Sequence, residues 1–286
     1  MHKLLKFEYR RLFYRTSLYV CFAVVIVPVL FMFIVTAASY LSAKNNGELN
    51  LSLFSNTMYG IVSQMIKSAN LTLLSVIFTS IFVCEDQTRG TIKTIYSLGY
   101  PRAKLSAARF LASATATAIM YWAVILIALI CGTLFSSTEN SAVDPGMIFG
   151  LTQEYKEPDV FVFIIQQFAV IMGAHSFYYL MAQISQKTGI SIVLGIFIPG
   201  MISSGFGVIT MIFSYVFNSN NAITDALGKA YMTFLQYWLP SMLSSLLSEI
   251  GMSSELNYAA SIIVNIGYIV AFGAFAVLIS YKKEIK

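Results

Sequence analysis

The spacing of charged residues is the feature that most constrains this chain. Seven stretches of 17 to 37 residues contain no Asp, Glu, Lys or Arg: 16–43, 68–84, 110–138, 160–186, 188–224, 230–248 and 256–281. A helix needs about 20 mostly apolar residues to cross a hydrocarbon core of about 30 Å. Because only 11% of the residues are charged and 57% are hydrophobic, the chain could not coat a soluble core of its size. The sequence therefore predicts an all-α polytopic membrane protein.

One of the seven stretches is a poor lipid-facing helix. The window 230–248 contains Pro240 and four serines, so we expect it to be interfacial or partly re-entrant on the outer side, before the last span. The other six windows predict six transmembrane helices within a single domain over residues 1–286. Their expected positions are near 18–40, 66–84, 108–134, 160–184, 190–214 and 257–281.

The distribution of basic residues supports six spans and sets their orientation. Five cations precede the first span, five lie between the second and third spans, and three end the chain. Six spans place all three groups, with Lys187, on one side, which the positive-inside rule makes cytoplasmic. That side would hold 14 basic residues and only four acidic ones, which are Glu8, Glu85, Asp86 and Glu284. We therefore expect both termini in the cytoplasm, and the net charge of +5 requires no nucleic-acid partner.

The first 17 residues predict an amphipathic helix lying on the inner membrane surface. Helical spacing puts three basic side chains on one face and a mostly apolar set on another. The basic face carries Lys3, Lys6 and Arg10, and the other carries Leu5, Tyr9, Leu12 and Thr16. The alternative is a positively charged flank that only sets topology.

Several chemistries lack their motifs in this chain. No phosphate-binding G-x-x-x-x-G-K-[ST] sequence occurs, and neither histidine belongs to an H-E-x-x-H zinc pattern. The chain is therefore predicted to be neither an ATPase nor a metalloenzyme, with no cofactor of its own. The three cysteines, Cys21, Cys84 and Cys131, are expected to be buried free thiols. Five polar residues inside the spans are expected to bond between helices: Gln166, Gln167, His175, Gln183 and Asn265.

An intramembrane serine protease is the competing enzyme hypothesis. Ser204 lies in the sequence Ile202-Ser203-Ser204-Gly205, which resembles the rhomboid G-x-S-G pattern, and His175 would complete a Ser–His pair. Two features oppose it, because Ile202 replaces the first glycine and the histidine precedes the serine, the reverse of the rhomboid order.

The inner loop over residues 85–107 is the most informative segment. Ile92, Ile95, Tyr96 and Gly99 follow i, i+3, i+4, i+7 spacing, which predicts a short amphipathic helix over 91–98. Gly99 and Pro101 are expected to end it. So short a helix needs a docking surface for its apolar stripe, either a protein groove or lipid headgroups.

This loop resembles that of the permease subunits of bacterial type-2 ABC exporters, the ABC-2 family. Members carry an acidic residue at the end of span two, then a glycine, a hydroxyl and an aliphatic residue, then a turn with a basic residue. The corresponding positions here are Glu85, Gly90, Thr91, Ile92, Pro101 and Arg102. The six spans, the basic N-terminal helix and the interrupted outer segment extend the resemblance over nearly the whole chain.

The resemblance implies a non-enzymatic subunit of the bacterial cytoplasmic membrane. It would pair with a second permease, as a homodimer or heterodimer, and with separate ABC ATPase subunits that hold ATP and Mg²⁺. The helix over 91–98 would be the coupling helix. The ATPase-coupling residues would be Glu85, Gly90, Thr91, Ile92, Ile95, Tyr96, Pro101 and Arg102. An amphipathic peptide is the expected cargo, as in antimicrobial or toxin-peptide export or immunity, with lipid-linked polysaccharide or small drugs as alternatives. A structural membrane subunit without transport is the third possibility.

Overall fold

The described part of the chain is entirely helical. The computed structural model describes residues 2–46, 58–88, 95, 99–135, 160–216 and 258–282. Within these ranges there are eight helices: α1 His2–Phe13, α2 Thr16–Asn46, α3 Met58–Ser68, α4 Leu71–Thr88, α5 Arg102–Phe135, α6 Val160–Ser185, α7 Thr188–Val216 and α8 Tyr258–Lys282.

Five helical segments of the described residues are long and apolar enough to cross a membrane. They are Thr16–Leu41, Ile61–Thr88, Arg102–Phe135, Val160–Ser185 and Ala260–Lys282. In α7 the stretch Thr188–Pro199 is apolar enough to cross a membrane but is too short to do so. The all-α membrane class is therefore supported, while the sixth span remains a prediction.

The second predicted span is longer than expected and is broken. The sequence places it at 66–84, whereas the helical segment runs over Ile61–Thr88 and consists of α3 and α4. The break lies at Asn70, whose φ of 47° is left-handed, a conformation that Asn tolerates better than most residues. Ile61 and Val62 on α3 are buried, so α3 belongs to the bundle.

Helix α6 is the centre of the bundle. It packs against α4, α5, α7 and α8, and 19 of its 26 residues are buried. Helices α2 and α8 lie at the periphery and expose apolar side chains such as Val27, Phe31, Ile263 and Val270. In a bilayer these side chains would contact lipid rather than water.

The described members of the basic groups that were predicted to share one side lie at one end of the bundle, hereafter the basic end. It contains the ends of α4 and α6 and the start of α5, which the Ser106–Tyr179 and Gln87–Gln183 contacts bring together. Helix α1 joins them through ion pairs to Asp86 and Arg109. The start of α7 follows α6 directly, and the end of α8 lines a cavity with Ile184 of α6. Gly99 has a φ of 82°, a left-handed conformation that glycine adopts readily, and it lies shortly before α5. The predicted coupling helix, apart from Ile95, and the predicted re-entrant segment at 230–248 lie outside the described residues.

Candidate functional site

Six charged side chains meet at the basic end. This charge cluster contains Glu8, Arg11, Arg15, Glu85, Asp86 and Arg109. It joins α1, the turn between α1 and α2, the last turns of α4 and the second turn of α5. Glu8, Asp86 and Arg109 are at most 3% exposed. Such burial is rare for charged groups and requires that each be paired.

Arg109 connects three helices. Its Nε donates to Glu8 Oε1 on α1 at 3.2 Å, and its Nη2 lies 3.2 Å from Asp86 Oδ2 on α4. Removing either carboxylate would leave part of the guanidinium buried without its counter-charge.

Arg15 and Arg11 bind the end of α4. Arg15 donates to Asp86 Oδ1 at 2.6 Å and to Glu85 Oε2 at 3.0 Å. Arg11 forms a close ion pair with Asp86 and lies 3.6 Å from a carboxylate oxygen of Glu8. Both guanidinium groups lie over the ring of Phe82, at 5.8 Å for Arg11 and 5.2 Å for Arg15, where a cation–π attraction adds to the ion pairs.

The cluster contains three cations and three carboxylates and so has no net formal charge. Burial lowers the pKa of Arg11 to about 10, with Glu8 acting in the opposite direction. Arg11 is therefore still charged at neutral pH.

The local sequence explains why these side chains converge. Glu8 and Arg11 are three residues apart on α1, so they share a helical face, and Arg15 follows in the turn after α1. That face is anchored by Leu4 and Leu12, which are buried. On α4, Glu85 and Asp86 occupy the last turn, where the helix dipole disfavours negative charge. The three arginines offset that repulsion.

Polar contacts continue from the cluster into the bundle. Tyr179 on α6 donates its hydroxyl to the backbone carbonyl of Ser106 at 2.8 Å and accepts from Gln183 Nε2 at 2.9 Å. Gln183 in turn accepts a 3.5 Å bond from Gln87 on α4. These contacts fix α6 to the same ends of α4 and α5 that the charge cluster joins.

His175 forms a second polar site at the middle of α6. Its Nε2 lies 3.1 Å from Ser113 Oγ, and its Nδ1 lies 3.1 Å from Thr79 Oγ1 and 3.2 Å from Thr117 Oγ1. Ser113 also donates to Phe110 O, which leaves its oxygen to accept from His175. A neutral imidazole protonated at Nε2 therefore donates to Ser113 and accepts from Thr79 at Nδ1, while Thr117 donates its hydroxyl to the backbone carbonyl of Ser113. The predicted role of this residue in helix–helix bonding is confirmed.

The other polar predictions hold in part, and the thiol prediction is confirmed. Gln167 donates to Gln166 of its own helix. Gln166 on α6 donates to Ser261 on α8 at 3.2 Å, whereas Asn265 donates to a carbonyl of its own helix. Cys21, Cys84 and Cys131 are all free and buried. No group of three or more His, Cys, Asp or Glu side chains in the described ranges is placed to hold a metal ion.

The structure describes four of the eight predicted ATPase-coupling residues. Glu85 is part of the charge cluster and its side chain is 28% exposed. Ile95 is half-buried and packs against the small apolar cluster of Leu4, Leu105 and Ala108. Pro101 is exposed, and Arg102 is the first residue of α5. Gly90, Thr91, Ile92 and Tyr96 lie outside the described residues.

Five members of the charge cluster were not predicted as site residues. In the sequence, Arg11, Arg15 and Arg109 were interpreted as signals of membrane topology. Glu8 and Asp86 entered only as part of the charge balance between the two sides. Two signals could have found them. Three of the four acids expected on the basic side, Glu8, Glu85 and Asp86, are cluster members. Two carboxylates at the C-terminal end of an apolar helix also demand nearby cations.

A cavity of about 590 Å³ lies apart from both polar sites. It is lined by Ile184 at the end of α6 and by Phe275, Leu278, Ile279 and Lys282 of α8. Its one charged lining residue is a cation at the basic end. Comparison with known proteins found neither a protein-family model nor a curated protein that matches this chain.

Proposed function

We propose that the chain is the permease subunit of an ATP-driven ABC exporter, coupled to separate ATPase subunits through the loop over 85–107. The observation that carries this proposal is the placement of the charge cluster. Glu85 and Asp86 lie where the loop leaves α4, and Arg109 lies just beyond its return into α5. Both ends of the loop are therefore tied to each other and to α1.

This arrangement suits the transmission of force. A displacement of the loop would move α1, α4 and α5 together, because the buried ion pairs cannot separate without leaving charges unpaired. Tyr179 and Gln183 would extend that displacement to the central helix α6. ATP would then act by binding one arrangement of the loops more tightly than the other, which shifts the population of two states.

The proposal includes the finer features that the sequence predicts. It places six spans in a bacterial cytoplasmic membrane, with the basic end and both termini in the cytoplasm. It pairs the chain with a second permease and with two ATPases that hold ATP and Mg²⁺. An amphipathic peptide is the proposed cargo.

The contacts of His175 favour transport over the serine protease alternative. Both ring nitrogens already face hydroxyl groups of α4 and α5, namely Thr79, Ser113 and Thr117. A protease would need one of them directed at Ser204 on α7.

The test is a pull-down of the tagged, detergent-solubilised chain from its native membrane, with subunit identification and an ATPase assay. We expect an ATP-hydrolysing partner to co-purify with the unmodified chain. The Ile92→Asp variant should lose most of it, because a carboxylate would be buried in the groove.

Lys187→Ser is the matched control, since Lys187 is exposed at the same end of the bundle but lies outside the loop. Ile95→Asp is the less informative variant, because Ile95 packs within the chain. Recovery of the unmodified chain without any ATPase would contradict the proposal, and so would equal ATPase recovery with Ile92→Asp.

A further inference from the structure

Helix α1 has an outward face that nothing in the described chain covers. Its opposite face is buried through Leu4, Glu8 and Leu12. The exposed residues of α1 and the adjoining turn are Lys3, Lys6, Phe7, Arg10, Phe13 and Tyr14. At 3.6 residues per turn these six side chains fall within an arc of about 120°. We call this arc the outer face of α1.

The outer face carries positive charge that the rest of the chain does not neutralise. Glu8, the one acidic residue of α1, points inward and is paired with Arg109. Within the described residues, Lys3, Lys6 and Arg10 make no ion pair, and Arg10 lies over the ring of Tyr14 at 5.8 Å. The outer face therefore carries three cations and no carboxylate.

The aromatic residues on this face indicate a partner other than bulk water. Phe7, Phe13 and Tyr14 are 50%, 46% and 78% exposed and alternate with the cations. Aromatic rings with basic side chains are typical of the headgroup level of a membrane. The chain also continues directly into exposed apolar residues of α2, among them Val20 and Val27.

From this geometry we infer that the outer face of α1 is a binding surface for anionic phospholipid headgroups. The three cations meet the lipid phosphates, and the aromatic rings lie at the glycerol level beside them. The inference is independent of the transport proposal, because it requires only that α1 lie against the bilayer.

The experiment measures the lipid composition next to α1. Phe7→Cys is labelled with bimane, since Cys21, Cys84 and Cys131 are buried, and the protein is reconstituted in phosphatidylcholine. Quenching is titrated with doxyl-labelled phosphatidylglycerol or doxyl-labelled phosphatidylcholine, which gives the relative affinity of the two lipids at this position.

We expect phosphatidylglycerol to be preferred, with the preference falling about fivefold for each cation replaced by serine. The triple variant Lys3→Ser, Lys6→Ser, Arg10→Ser should show no preference. The pair Lys187→Ser, Lys282→Ser is the control, because both residues are exposed at the basic end but lie off α1. If the triple variant unfolds, Lys6→Ser alone still tests the fivefold change.

Four results would overturn the inference. Equal quenching by the two lipids would show no charge selectivity, and no quenching by either would place the face in water or under a protein. An equal loss in the control pair would make the effect nonspecific. Inorganic phosphate at about 10 mM is enough to fill a weak anion site. If it abolished the preference for phosphatidylglycerol, the surface would be a site for the free anion.

Discussion

Arg109 is a charged residue among apolar neighbours in the sequence, and in the structure it joins helices through ion pairs. It lies on an apolar helix, and its side chain is 2% exposed, yet it pairs with Glu8 and Asp86 from two other helices. Sequence alone places Arg109 at a span boundary and cannot show these partners, because they lie 101 and 23 positions away along the chain. The contact depends on how the helices pack, which hydropathy does not encode.

The substitution Glu8→Gln tests the cluster. It keeps the shape of the side chain but leaves Arg109 and Arg11 with one carboxylate fewer, so we expect a loss of about 3 kcal/mol in the free energy of unfolding. Thermal unfolding in detergent measures it. Lys6→Gln, exposed on the same helix, should change stability by less than about 0.5 kcal/mol.

The double variant Glu8→Leu, Arg109→Leu separates pairing from packing. It removes one charge of each sign, and Asp86 keeps both Arg11 and Arg15. We expect it to be more stable than Arg109→Leu alone, because no uncompensated charge remains. A double variant as unstable as the sum of the two singles would show that the pairing does not matter.

His175 contributes through its hydrogen bonds. His175→Leu should lower the free energy of unfolding by about 1–2 kcal/mol, the upper range for polar contacts between membrane helices. His175→Asn, which can still bond to hydroxyl groups, should lose less. Equal losses in the two variants, measured by thermal unfolding, would argue that only volume matters at this position.

At the scale of helices, charge spacing predicted most of the architecture. The ends of α6, α7 and α8 lie within a few residues of the predicted bounds 160–184, 190–214 and 257–281, because charged residues end the apolar stretches that form these helices. The break at Asn70 was missed, since a single left-handed residue hardly changes mean hydropathy. The start of α5 at Arg102 was also missed, because the helix extends beyond its apolar part.

Gly195 on α7 is a close-packing position. An added methyl group would overlap Val76 on α4 and would lie 3.3 Å from Tyr178 on α6. We expect Gly195→Ala to cost about 1–3 kcal/mol through overpacking. Gly189→Ala on the same helix, where no atom lies within 4 Å, should be neutral or stabilising. Thermal unfolding distinguishes the two, and equal effects would contradict this packing of α7.

At the scale of the whole molecule, the basic end contains two sets of cations. One set is buried and neutralised by carboxylates, and the other is exposed on the surface. Arg11, Arg15 and Arg109 are paired inside the cluster, whereas Lys3, Lys6, Arg10, Lys187 and Lys282 are exposed. Exposed cations on one side are what the positive-inside rule acts upon. The predicted orientation therefore rests on the surface charge, whereas the buried charges hold the helices together.

Cysteine accessibility tests that orientation. Lys3→Cys and Lys282→Cys should resist a membrane-impermeant maleimide in intact cells and react after lysis. Asp144→Cys lies between the third and fourth predicted spans, on the predicted outer side, and should react in intact cells. The buried native thiols keep the background low. Labelling of Lys282→Cys but not Lys3→Cys in intact cells would require an odd number of spans.

The central position of α6 also affects how the protein is made. The hydroxyl partners of His175, at positions 79, 113 and 117, precede it in the chain, whereas Ser261, the partner of Gln166, follows it. When the ribosome releases α6, its half nearer the basic end can therefore bond at once with helices already synthesised. Its other half can bond to α5, because Ile164 accepts from Tyr121, but Gln166 must wait for α8, so the polar contacts of α6 are completed only after α8 has been made.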